Sequence, residues 1–171
     1  MILETERLVL RPIVTADWRE LYPIMSDPQV MAHWDGPEIV DPEISRRMVA
    51  AQVEDMQAGA AHYWAVELGA AAAFLGACEL TGIDWRHRRA EVGFVLARAA
   101  WGLGYGLEAM RAVVGHAASL GLKRLWARTH AGNERSERLL ARLGFEAEGY
   151  LRGHVQRAGE RRDCRSFGLL L

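Results

Sequence analysis

The sequence predicts a single α/β domain, a mixed sheet of about seven strands wrapped by about four helices. Three observations lead there. A chain of 171 residues, half of them hydrophobic, suits one domain with a sizeable core, spanning 1–171. Strand-like patterns come early and are followed by helices and strands in alternation. Between Arg89 and Ala112, RAEVGFVLARAAWGLGYGLEAMRA reads as a strand, a glycine-rich turn and a helix.

The elements follow in order. Leu8, Leu10 and Ile13 mark a first strand, which Pro12 places at an edge or ends. Thr15 or Asp17 caps a helix to about Met25, broken at Ser26-Asp27-Pro28. Residues 28–42 read as a loop carrying Met31, His33 and Trp34. Asp41 and Pro42 then open a helix to about Ala58, with Ile44, Met48, Ala51 and Val53 as its apolar stripe. Strands at His62–Leu68 and Phe74–Leu80 form a hairpin, and residues 81–89 a polar connection. The strand from Arg89 to Leu96 leads through the glycine turn to a helix with Leu107, Met110, Val114 and Ala117 on one stripe. Gly121 ends it. A strand at Leu125–His130 follows, then a helix capped by Asn133 and stopped by Gly144, and two strands meeting at Ala158-Gly159.

Composition narrows the function. The 21 basic and 22 acidic residues nearly balance, which argues against a generic nucleic-acid binder. Cys78 and Cys164 are far apart and read as free buried thiols of a reducing compartment. The histidines form no HExxH and no pair four residues apart, so no metal is expected. His33, His87 and His154 remain candidate pocket residues. Neither a signal-peptide core nor a bilayer-spanning run is present, so a cytoplasmic location with no membrane partner is expected. Arg152, Arg157, Arg161, Arg162 and Arg165 read as a solvated face, or as a basic face for a ribosomal surface or a phosphate.

The glycine turn points to an anion. Gly102, Gly104 and Gly106 precede a helix N-terminus, where unpaired N–H groups and the helix dipole favour a pyrophosphate. Leu107 stands where a dinucleotide fingerprint needs its third glycine, and the turn has no P-loop lysine. A plain structural turn is the competing reading.

A second motif decides between them. Residues 133–145, NERSERLLARLGF, carry Asn133, Ser136, Leu139, Gly144 and Phe145. With TERLVLRP (Thr5–Pro12), AEVGFVL, WGLGYGLEAM and EGYLRG (Glu148–Gly153), they resemble the GNAT superfamily of acetyl-CoA-dependent N-acetyltransferases, in the order that family uses. Trp101 stands where the superfamily often has Gln or Arg. Tryptophan there is familiar in the ribosomal-protein N-terminal acetyltransferase (RimJ/RimL-like) branch.

The resemblance implies a mostly antiparallel GNAT sheet, splayed centrally between the strands at Glu91–Leu96 and Leu125–His130. It implies acetyl-CoA as co-substrate. Backbone amides of Phe94, Val95 and Leu96 would hold the carbonyl, and Trp101, Gly102, Leu103, Gly104, Tyr105 and Gly106 the pyrophosphate. Asn133 would bind the pantetheine arm. Met31, His33, Trp34 and Glu79 would face the acceptor. Ser136 is the candidate acid, or a group that only positions the donor or caps its helix. Glu91 is the candidate base, directly or through water, with Glu79 second; its competing role is a cross-strand partner of Arg128. With no cysteine nucleophile in the motifs, direct transfer in a ternary complex is expected. The acceptor would be an amine, such as a protein N-terminal α-amine. Small amines (a polyamine, an amino acid, an aminoglycoside) and a non-catalytic CoA sensor are the alternatives. A homodimer is common in such families.

Overall fold

The structure, a computed structural model, describes residues 1–171 apart from the side chain of Ala70. The chain runs β1 (Leu3–Glu4), β2 (Leu8–Pro12), α1 (Trp18–Met25), α2 (Pro28–Met31), α3 (Pro42–Gln57), β3 (His62–Leu68), β4 (Ala73–Asp84), β5 (Arg89–Leu96), α4 (Tyr105–Ser119), β6 (Arg124–His130), α5 (Glu134–Arg142), β7 (Glu146–Arg157) and β8 (Glu160–Leu170). One eight-stranded sheet has the order β1-β2-β3-β4-β5-β6-β8-β7. All neighbours are antiparallel except β5 and β6.

Two elements exceed the expectation. β1 has only two residues, too short for any period to register. α2 is a single turn that starts where Asp27 Oδ1 accepts from Gln29 N–H at 2.9 Å, with Pro28 at the first helical position. Asp-Pro was thus an N-cap signal as well as a break. β4 also continues through Thr81 to Asp84, into the stretch expected as a connection.

The helix faces need correction too. α3 buries Ser45 and Val49, while Ile44 and Ala51 are exposed. The reason is a polar residue at a helix crossing: Ser45 Oγ donates to Trp18 O of α1 at 3.2 Å. A hydrophobic count skips such a position. In α4 the buried face includes Ala109 and Val113, whereas Val114 is half-buried.

The sheet has two covered faces. On one, α4 and α5 lie over Leu10, Trp64, Val66, Leu80, Val92 and Leu125. Truncating one of these leucines to alanine costs about 2–5 kcal/mol. On the other, α1 and α3 cover Ile13 and Val95. Because side chains alternate along a strand, Glu79, Glu91, Gly93 and Val95 share this second face. Cys78 and Cys164 are both buried and free. No helix among the described residues is long and apolar enough to cross a membrane.

Candidate active site

The site begins where the sheet parts. β5 and β6 pair only from Arg89, Ala90 and Glu91 to Arg124, Leu125 and Trp126, and then diverge. The central splay implied by the resemblance is therefore present. Ala97 N–H donates to Leu75 O at 2.8 Å. Alternation then directs the backbone groups of Phe94 and Leu96 toward the opening. Val95 turns its amide into the β4 ladder opposite Ala77 and contributes to the cavity wall instead. Trp101 Nε1 donates to Leu96 O at 3.0 Å, so the expected pocket tryptophan also fastens the end of β5.

A cavity of about 730 Å³ runs through this opening. At one end lies the glycine turn. Gly102 (φ 77°) and Gly104 (φ 83°) occupy the left-handed region, which side chains make costly. Gly104 is the N-cap of α4, and no side chain caps the amides of the first turn. Gly106 is required for space: a Cβ there would lie 3.0 Å from Leu139 Cδ1 and 3.3 Å from Leu96 Cδ1. The side chains of Leu103 and Tyr105 do not line the cavity, so only their backbone can serve an anion. Leu103 is exposed, and Tyr105 lies under Arg7, whose guanidinium is 4.6 Å from the ring centre.

The opening motif explains how the turn is held. Arg7 bonds Glu108 of the first turn of α4 through its backbone N–H (2.8 Å) and its Nε (2.7 Å), and Leu103 O through Nη1 (3.0 Å). Thr5 Oγ1 donates to the same Glu108 at 2.6 Å. Across the cavity mouth, Arg135 stacks over Trp101 at 4.0 Å, and Arg138 and Arg142 of α5 line the same space. Free helix-start amides facing guanidinium groups form a donor set that fits a pyrophosphate.

α5 contributes its N-terminus. Asn133 Oδ1 accepts from Ser136 N–H at 3.3 Å, the helix cap, and both residues line the cavity.

The far end is acidic. Glu79 lies across Gly93, where a Cβ would meet its Oε1 at 2.5 Å. Glu91 is its diagonal neighbour on β5. Both are half-buried and have no hydrogen-bond partner among the described residues. Burial raises the Glu79 carboxyl above the usual range, and the Glu91 charge adds to that. Burial also raises Glu91, opposed by Arg128 and reinforced by Asp35.

Arg128 does not pair with Glu91. It makes a fork to Asp35, with Nη2–Oδ2 at 2.7 Å and Nη1–Oδ1 at 3.2 Å. His130 Nε2 lies 2.9 Å from Asp35 Oδ1. This contact joins β6 to the loop that presents His33 and Trp34 to the cavity. Burial and the nearby basic groups lower the His33 pKa. Met31, expected to face the acceptor, is instead buried against Met25 and Ile39. His87 and His154 do not line the cavity.

The basic C-terminal hairpin is a solvated face only in part: Arg152, Arg161 and Arg165 are exposed, and Arg162 is half-buried. Arg157 is buried, and its Nη1 donates to Met31 O (2.5 Å) and Trp34 O (3.2 Å). Arg162 Nη1 donates to Ala32 O at 3.1 Å, and Arg165 pairs with Glu137 at 3.0 Å. These arginines tie the hairpin to the acceptor-side loop and to α5.

Sequence reading missed Gly93, Asp35, Arg128 and His130 as site residues. Gly93 alone left a signal, as a glycine inside a strand marking close approach. The other three meet across more than 90 positions of chain, which no spacing can show.

Comparison with known proteins agrees with this geometry. Residues 7–146 match the acetyltransferase (GNAT) domain family. The chain is 30% identical to the N-acetyltransferase YoaA of Bacillus subtilis (strain 168), over 99% of this chain and 96% of that protein. Two examples come from the many solved structures that share the fold. One is a Salmonella typhimurium acetyl transferase that modifies the N-terminal serine of 50S ribosomal subunit protein L7/L12 (18% identity, TM-score 0.90, covering 100% of this chain and 99% of that one). The other is spermidine N-acetyltransferase from Vibrio cholerae in complex with CoA and spermine (20% identity, TM-score 0.85, covering 97% and 96%). With the splayed strands, the glycine turn at a helix start and a family match over most of its length, the chain belongs to the GNAT acetyltransferase family and is an acetyl-CoA-dependent N-acetyltransferase.

Proposed function

We propose that the protein acetylates a primary amine by direct attack in a ternary complex, with a protein or peptide N-terminal α-amine as the first acceptor class. One observation carries the reading of the chemistry: the freed Phe94 amide and two unpaired carboxylates, Glu79 and Glu91, line the same parted strands.

Bound acetyl-CoA supplies an acetyl thioester with a good thiolate leaving group. The backbone of residues 101–106 and Arg135 hold its pyrophosphate, and Asn133 its pantetheine arm. The Phe94 N–H polarises the carbonyl and stabilises charge that develops on its oxygen. Glu91 accepts the proton that the attacking nitrogen must lose, directly or through one water. Ser136 Oγ returns a proton to the departing sulfur or orients it. An α-amine near pKa 7.7–8.0 keeps about a fifth to a third of its population neutral at pH 7.4, far more than a lysine side chain near 10.4, so a glutamate of raised pKa suffices as its base. The RimJ/RimL-like reading is supported by the match in fold to the L7/L12-modifying enzyme and by the opening motif that clamps α4.

A second reading is a small polyamine acceptor. It is favoured by the unpaired Glu79–Glu91 pair, which would attract a second ammonium, and by the fold likeness to the spermidine enzyme.

The test is mass spectrometry of an acceptor panel incubated with acetyl-CoA and the protein. It contains peptides with free Ser, Ala and Thr N-termini, an N-blocked lysine peptide, spermidine and an aminoglycoside. Acetyl on the free peptide N-termini supports the first reading. Acetyl on spermidine alone transfers the assignment to the second. No product with any amine, while acetyl-CoA binds, rejects the catalytic reading for these classes.

A further inference from the structure

We infer that Asp35 is a positioning residue for the reaction: by clamping Arg128 it withholds that guanidinium from Glu91 and leaves the Glu91 carboxylate unpaired at the parted strands.

Position makes Arg128 a natural partner for Glu91. Glu91 is aligned with Trp126 at the last paired step of β5 and β6, and Arg128 is two residues further on, on the same face. Both side chains line one cavity, and Arg128 acts on Glu91 through its charge. An arginine so close to a half-buried glutamate would ordinarily form an ion pair. Such a pair would hold the carboxylate ionised and make it a weaker base.

Asp35 intercepts it. The carboxylate meets the guanidinium through both oxygens, the geometry in which arginine pairs are strongest. His130 Nε2 contacts the same Asp35 oxygen, and Arg128 Nη1 also lies 3.4 Å from Cys164 Sγ. Arg128 is thus turned toward the loop and β8 rather than toward β5. The charged groups around Glu91 are then Glu79 from β4, Arg128 from β6 and Asp35 from the loop.

The loop does not depend on Asp35 for its place. Arg157 holds Met31 O and Trp34 O, Arg162 holds Ala32 O, and Ile39 N–H donates to Met25 O at 2.9 Å. The Asp35 side chain is 53% exposed. Asp35→Asn should therefore fold and keep the loop seated.

The inference rests on Glu91 as the base, and the test separates the two. The Glu91 carboxyl is titrated by 13C NMR in the labelled free protein, with Glu91→Gln giving the assignment. In Asp35→Asn the titration moves to lower pH, because the released Arg128 pairs with Glu91. Against Arg128→Gln alone, Asp35→Asn/Arg128→Gln shows a clearly smaller downward shift, the part due to the lost Asp35 charge itself. Asp35→Glu restores the original titration. In parallel, the acid limb of kcat/KM in Asp35→Asn moves to lower pH, and turnover above it falls about 10-fold. An unmoved Glu91 titration in Asp35→Asn overturns the inference, whatever the activity. A downward shift of the same size between Arg128→Gln and the double variant also overturns it, since the lost Asp35 charge or a loosened loop would then account for it without Arg128. A shift that behaves as expected, together with a fully active Glu91→Gln, would leave the charge partition standing and reject Glu91 as the base.

Discussion

The carboxylate of Glu79 rests on the bare backbone of Gly93, so close that a Cβ at 93 would stand 2.5 Å from Glu79 Oε1. The two residues face each other across the β4–β5 ladder. The absent side chain gives the glutamate a seat beside the opening between β5 and β6.

Gly93→Ala should therefore displace a functional group more than it harms the fold. The backbone at 93 is not in the left-handed region, and Glu79 can swing aside. We expect a stability loss of about 1 kcal/mol or less and a roughly 10-fold loss in kcat/KM. Thermal melts and steady-state kinetics check both. Unchanged kinetics would mean that the seat of Glu79 has no part in turnover.

Glu91→Gln should change the shape of the pH profile. Burial raises the Glu91 carboxyl, so the wild-type base is lost as pH falls through that raised value. The advantage of wild type over Glu91→Gln should grow with pH across this limb and reach about 100-fold above it. A constant ratio at every pH would exclude Glu91 as the titrating base.

Ser136 and Asn133 should separate chemistry from binding. Ser136→Ala keeps the backbone N–H that Asn133 caps, so α5 stays intact. We expect turnover to fall about 10-fold with donor affinity retained. Asn133→Ala removes the cap, costs about 1 kcal/mol of stability and weakens donor binding. Calorimetric titration with CoA distinguishes them. If Ser136→Ala loses only CoA affinity, its hydroxyl is a binding group.

Much of the donor half was legible because it is local. Gly102, Gly104 and Gly106 lie within five positions of chain and Asn133 and Ser136 within four, so turn and cap chemistry could be read along the sequence. Thr5 and Arg7 were recognised in an opening motif, but their purpose was not. It appears only where Arg7 reaches Glu108, 101 residues away. The acceptor half was read less well. Met31 looked like pocket lining but is sealed inside a small cluster, because α2 turns it inward. Arg157 looked like surface charge but is buried, because a guanidinium can satisfy loop carbonyls there.

The sequence by itself determined the one-domain α/β architecture, the glycine-rich helix start, the capped α5 and the strand that carries Glu91 and Phe94. Each depends on periodicity or on turn chemistry within a few residues. Only the tertiary structure decided that Arg128 belongs to Asp35 and not to Glu91, and that Val95 turns its amide away from the opening. Pairing between charges and the direction of a backbone amide depend on which strands lie side by side and where they part. That is set by the packing of the whole sheet and leaves no period in the chain.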